Sequence, residues 1–234
     1  MNEIATIRQF FDFLNKNCDY LVLRNWDDIF DEGIYGNGHE DIDILCRDLD
    51  SFVHLTKAKR VHRSNYRDNF IVNIGNMNVR FDVRHVGDGY YSAKWEKSML
   101  DNRVLNEQNI YIMNAEDYVY SLSYHAVIQK PKLSKEYATK IINAFSFLPK
   151  CEIDVCEANI PKLLLEFCKR KEYLVEIPSD PGVYLNESNL SGFGRSVNII
   201  RWGRRLNLRV VQSISYCGSV MKRKLLSFFS HFEK

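Results

Sequence analysis

Several familiar signatures are missing from this chain of 234 residues. Its six cysteines (Cys18, Cys46, Cys151, Cys156, Cys168 and Cys217) form no C-x-x-C pair, and no histidine stands at zinc-finger spacing from them. A structural zinc module is therefore not expected, and the thiols read as reduced and incidental. No apolar run approaches the roughly 18 residues that could span a bilayer. The first residues, MNEIATIRQFFDFL, carry charges inside an amphipathic pattern, unlike the apolar core of a secretory leader. These absences make a reducing cytoplasm the expected compartment. There is no internal repeat and no low-complexity tract, which excludes array and linker-like chains. A long basic stretch near the C-terminus lacks acidic residues. Between Arg195 and Lys224 stand eight basic residues and no Asp or Glu.

What is present is a globular composition, with 45% hydrophobic, 13% aromatic and 26% charged residues. The net charge of +2 hides an uneven distribution, because the basic stretch outweighs it and leaves the rest of the chain net acidic. Lys222-Arg-Lys224 beside Leu225, Leu226, Phe228, Phe229 and Phe232 gives a basic amphipathic pattern. It suits peripheral contact with an anionic membrane surface, or packing against a partner. Without a recognition-helix, zinc-finger or RNP-type motif, nucleic acid is the disfavoured partner.

Periodicity predicts a helix over residues 3–16, from Ile4, Ile7, Phe10, Phe11 and Leu14, and a buried strand over 20–23. Asp41-Ile-Asp-Ile-Leu-Cys46 alternates, so it is expected to be a strand with Asp41 and Asp43 on one face. A helix follows over 48–59. Strands over 70–74 and 78–85 flank Gly75-Asn-Met as a hairpin. Residues 90–105 are mixed, with a helix around Trp95, Met99 and Leu100, and a short strand falls at 110–113. Asn114 caps a helix of about two dozen residues, with Tyr118, Leu122, His125 and Ile128 on one face, and Pro131 breaks it. Ser134 caps another helix that runs to about Phe147. A boundary near 149–154 precedes a helix over 159–171, extended chain over 173–177, a turn at 178–182 and a loop over 186–194. Strands over 197–202 and 206–211 and a helix over 221–232 complete the plan.

The chemistry concentrates on the D-x-D strand. Two carboxylates on one face, with a third on a neighbouring strand, supply the hard oxygen donors that Mg2+ or Mn2+ requires. Asp82 is the third candidate. It lies inside Val79-Arg-Phe-Asp-Val83, where an acid between Phe81 and Val83 is costly unless paired or metal-bound. Gly36 and Gly38, in the loop just before Asp41, would let a phosphate approach the backbone.

Together these residues resemble the nucleotidyltransferase superfamily that includes DNA polymerase β-like and aminoglycoside nucleotidyltransferases. The resemblance covers about residues 20–86. It implies an α+β fold, with a small mixed sheet and flanking helices followed by a helical segment; the elements read beyond it add a small C-terminal α/β extension. It also implies that Asp41, Asp43 and Asp82 are catalytic and bind metal, with Asp82 helping to activate an acceptor hydroxyl. That family's Gly-Ser after the first strand is replaced by Arg24-Asn25, and Arg24 is suited to contacting phosphates itself. His39 flanks the D-x-D, and Lys130 and Lys132 follow the capped helix. With Arg24, Asn25, Gly36 and Gly38, these make up the expected nucleotide or phosphate contacts. A looser similarity is to bacterial members of the superfamily encoded among surface-polysaccharide genes.

The expected organisation is a catalytic core over 1–113, a helical segment over 114–148 and a substrate- or membrane-contact region over 149–234. The expected function is Mg2+-dependent transfer of a nucleotidyl or phosphate-linked group. The donor is nucleotide-activated, and the acceptor is a small molecule or glycan. Two alternatives remain. A D-x-D glycosyltransferase would ordinarily place the motif after a nucleotide-binding half of roughly 100 residues (compare). A non-catalytic binding or regulatory protein could keep the fold without the chemistry.

Overall fold

The computed structural model describes residues 4–35, 41–61, 69–149, 153–180, 183–190 and 193. The chain divides into two compact units, Met1–Gly194 and Arg195–Lys234, and the described residues all belong to the first. The strands expected over 197–202 and 206–211 and the basic helix over 221–232 lie outside the described residues, as do Gly36, Gly38 and His39. Among the described residues the architecture is mixed α and β around one seven-stranded mixed sheet, which is the coarse class the sequence implied. No helix among them is long and apolar enough to cross a membrane.

The sheet contains β1 (Tyr20–Val22), β2 (Asp41–Cys46), β3 (Lys59–Arg60), β4 (Asn69–Ile74), β5 (Met77–His85), β6 (Val104–Leu105) and β7 (Tyr111–Ile112). Their order is β3-β4-β5-β2-β1-β7-β6. The pairs β2–β5 and β1–β7 are parallel, and the others are antiparallel. β4 and β5 form the expected hairpin. Its turn requires Gly75, whose φ is +56° and at which a Cβ would collide with the Ala5 carbonyl.

One face of the sheet is covered by α1 (Ile7–Asn17) and α3 (Leu49–Thr56). Thr6 caps α1 by accepting from the Gln9 amide at 3.2 Å. Ile7, Phe10, Phe11 and Leu14 then recur on one side and bury against Ile42, Ile44, Phe81 and Val83. Full burial of each such side chain is worth about 1.5–3 kcal/mol. A short helix, α2 (Glu32–Tyr35), lies between β1 and β2. The opposite face carries Leu21, Leu23 and Leu45. These pack into a second cluster with α4 (Ala93–Asp101), α5 (Ala115–Ile128), α6 (Lys135–Phe145) and α7 (Ile160–Lys171).

Several expectations are corrected. The helix expected over 48–59 ends at Thr56, because Lys57 turns left-handed at φ 53°, and Lys59 and Arg60 pair with β4 instead. Residues 90–105 hold both α4 and the strand β6. α5 has 14 residues, not two dozen, and ends before Pro131. It is buried all round from Val119 to Ile128, because it runs through the middle of the helical layer and not along its edge. The loop expected over 186–194 contains the short helix α8 (Glu187–Leu190).

Candidate functional site

The register of β2 against β5 places Asp43 directly opposite Asp82, and Asp41 opposite Arg80. Parity explains why these side chains share a face. Ile42, Ile44, Phe81 and Val83 enter the α1/α3 core, so Asp41, Asp43, Asp82 and Arg84 point the other way. On that side Leu45 packs beneath the helical layer while Asp41 is exposed. Among the described residues, the carboxylates therefore stand at the margin of the helical cover, with Asp43 and Asp82 partly exposed. On the far side of Asp82, β4 presents Asn69.

Each carboxylate of the facing pair is engaged by one arginine. Arg24 approaches Asp43 Oδ2 at 3.2 Å, and Arg84 approaches Asp82 Oδ2 at 3.1 Å. Asp82 Oδ1 is buried with no hydrogen-bond partner. Burial pushes the Asp82 carboxyl up to about 6, against the pull of Arg84 and with the help of Asp43. Arg84 also reaches Asp180 Oδ2 at 3.3 Å and lies 4.5 Å from the ring centroid of Tyr90. Arg24 donates to the Tyr90 hydroxyl at 3.4 Å. One tyrosine thus lies against both guanidiniums.

α5 contributes a polar network behind Tyr90. Gln129 Nε2 donates to the Tyr90 carbonyl at 2.7 Å, which fixes its amide orientation. Gln129 Oε1 is then the acceptor for His125 Nδ1 at 3.0 Å. That assignment leaves the lone pair on His125 Nε2. Burial, and next Arg24, push the imidazole down to about 3, so His125 is neutral across the physiological range.

The loop between β5 and α4 is built on carboxylates. Glu96 is 0% exposed, and its two oxygens accept from the Gly87 and Tyr91 amides at 2.7 and 3.0 Å. A glutamate in a helix ordinarily faces water, but the structure buries this one beneath the loop. Burial and Asp88 raise its carboxyl to about 8. Asp88 accepts from the Tyr90 amide at 2.7 Å. Across the loop runs the segment after α7. Ser179 donates its amide and hydroxyl to the Asp88 carbonyl at 2.7 and 2.9 Å. Gly89, at φ +79°, has no room for a Cβ against the Ile177 carbonyl. Asp180, within the segment expected to turn at 178–182, is buried and paired with Arg84. Farther on, Asn186 donates from Nδ2 to the Lys130 and Pro131 carbonyls, each at 3.1 Å.

Of the other expected contacts, Asn25 serves through its backbone. It holds φ 55° where the chain leaves β1, and its carbonyl accepts from the Tyr35 hydroxyl at 3.1 Å. Asparagine tolerates this left-handed geometry better than most residues. Lys130 is half-buried just past α5 and helps hold His125 neutral, whereas Lys132 is exposed. Among the described residues no three His, Cys, Asp or Glu side chains converge into a metal-sized group. Asp43 and Asp82 nevertheless suit a hard cation by donor type, and the partnerless Asp82 Oδ1 is an oxygen available to one. The sequence missed Tyr90, Gln129 and Asp180 as members of this cluster. No protein-family model, curated protein or solved structure matches the chain.

Proposed function

We propose that this protein is a divalent-cation-dependent transferase. It moves a nucleotidyl or phosphate-linked group from a nucleotide-activated donor to a small-molecule or glycan acceptor. The observation that carries the reading is the cross-strand pair Asp43–Asp82, with its buried and partnerless oxygen on Asp82. Asp43 and Asp82, with Asp41 at the open end of β2, would hold Mg2+ or Mn2+. When bound, the cation neutralises charge on the transferring phosphate. Arg24 and Arg84 add guanidiniums suited to phosphate oxygens. Asp82, facing Asp43 across the two strands, is the carboxylate placed to take the proton of an acceptor hydroxyl. Asp180 brings the segment after α7 to this cluster, which supports an acceptor site formed partly by that segment. A carbohydrate acceptor in surface-polysaccharide synthesis is the version favoured by the sequence resemblance.

Thermal denaturation with ATP, CTP, GTP and UTP, each with and without Mg2+, tests the reading. One nucleotide should raise Tm only with Mg2+, and Asp43→Asn and Asp82→Asn should abolish the rise. Saturation at a hundredfold over Kd corresponds to about 2.7 kcal/mol. If neither these nucleotides nor CDP-linked alcohols stabilise the protein with Mg2+ present, the transferase reading fails.

A further inference from the structure

Arg24 and Arg84 are both largely shielded from water, with side chains 18% and 8% exposed, and both rest on Tyr90. Each spends its guanidinium on the Oδ2 of one strand carboxylate, and Arg84 is shared with Asp180. With all five groups ionised, two cations face three anions. The cluster has one negative charge in excess and repels a further anion. A divalent cation entering at Asp43 and Asp82 competes with the guanidiniums for the same oxygens and turns the excess positive. A shielded guanidinium that loses its carboxylate is costly until another anion replaces it. Tyr90 keeps both arginines at the site, through its hydroxyl and its ring face.

We propose that Arg24 and Arg84 are exchange partners: a divalent cation taken up by Asp43 and Asp82 releases both guanidiniums to a phosphate-bearing anion. Cation and anion binding are therefore positively coupled, and the coupling is the same in either order of addition. The inference rests on the cation reading of the carboxylates and adds to it a coupling carried by the arginines.

The test uses the full chain, with Mn2+ binding followed by electron paramagnetic resonance and inorganic phosphate binding by calorimetry. Saturating Mg2+ should tighten phosphate binding about tenfold or more, within the usual scale of coupling between sites. Arg24→Gln should bind Mn2+ more tightly, because a competitor is gone, yet lose the Mg2+-dependent gain in phosphate affinity. A merely structural arginine would weaken both. Asp180→Asn removes one negative charge and leaves the strand carboxylates in place. It should tighten cation-free phosphate binding severalfold. Phosphate binding that ignores Mg2+, loss of both affinities in Arg24→Gln, or an unchanged Asp180→Asn overturns the exchange. If the wild type binds no Mn2+, the cation reading falls with it. If it binds Mn2+ and the variants behave like wild type, the exchange falls alone.

Discussion

The two faces of the sheet use the same strands for opposite ends. Beneath α1 and α3 the inward residues of β2 and β5 are Ile42, Ile44, Cys46, Val79, Phe81 and Val83, all buried and apolar. One residue out of phase, the same strands present Asp41, Asp43, Asp82 and Arg84. The first face holds the fold together. The second holds charges that the fold must pay to keep, namely a partnerless carboxylate oxygen and two shielded guanidiniums. Apolar and charged side chains are separated by pleat parity, so substitutions one residue apart should have opposite signatures.

The largest effect is expected on the apolar face. Phe81 contacts the rings of Phe10 and Phe52, with centroids at 5.3 and 6.2 Å. Phe81→Ala should cost about 3–5 kcal/mol in urea denaturation. Its neighbour should do the reverse. The Asp82 carboxyl, raised to about 6 by burial, holds a proton in the folded chain that the unfolded chain releases near pH 4. Its contribution is therefore full below about pH 4, is lost as pH rises through about 6, and stays lost above that. In cation-free buffer at pH 7, Asp82→Asn should stabilise the protein by about 2 kcal/mol and flatten that part of the pH profile. It should also lose the response to Mg2+. If Asp82→Asn is instead strongly destabilising, the charged face is structural too, and the contrast breaks.

A smaller effect probes the loop that closes the charged face. Gly89→Ala must strain a left-handed backbone and push on the Ile177 carbonyl. It should cost more than about 1 kcal/mol by thermal denaturation and weaken the hold of Asp180 on Arg84. The smallest effect is expected at the sheet edge, where Leu105 is half-exposed. Leu105→Ser should stay within about 0.5 kcal/mol of wild type in the same measurement.

The parity contrast was legible in the sequence, because alternation is a local property. The bounds of β2, the face shared by Asp41 and Asp43, and the Gly75 turn all follow from neighbouring residues. The pairing of Arg84 with Asp82 was also within reach, since the two lie two apart on one strand. Tyr90 and Asp180 were not, because only the folded chain brings residue 180 to residue 84. The burial of Glu96 was not legible either, because a glutamate in a helix ordinarily faces water, and nothing nearby in sequence shows that two loop amides donate to it. For α5 a signal was present. Leu122 to Ile128 is nearly free of charge, which fits a helix surrounded on all sides better than one with a single buried face.

The Arg84–Asp180 pair also has a consequence for the order of events on the ribosome. The two residues are 96 positions apart. By the time β7 has emerged, every strand of the described sheet has been synthesised, with Asp43 already opposite Asp82 once it pairs. The charge cluster, however, lacks its last member until the segment beyond α7 follows. A nascent or truncated chain that stops between α6 and α7 would carry the sheet and its carboxylates with Arg84 one anion short. Assembly of the site is thus a late, long-range closure, timed by synthesis of the C-terminal part of this unit.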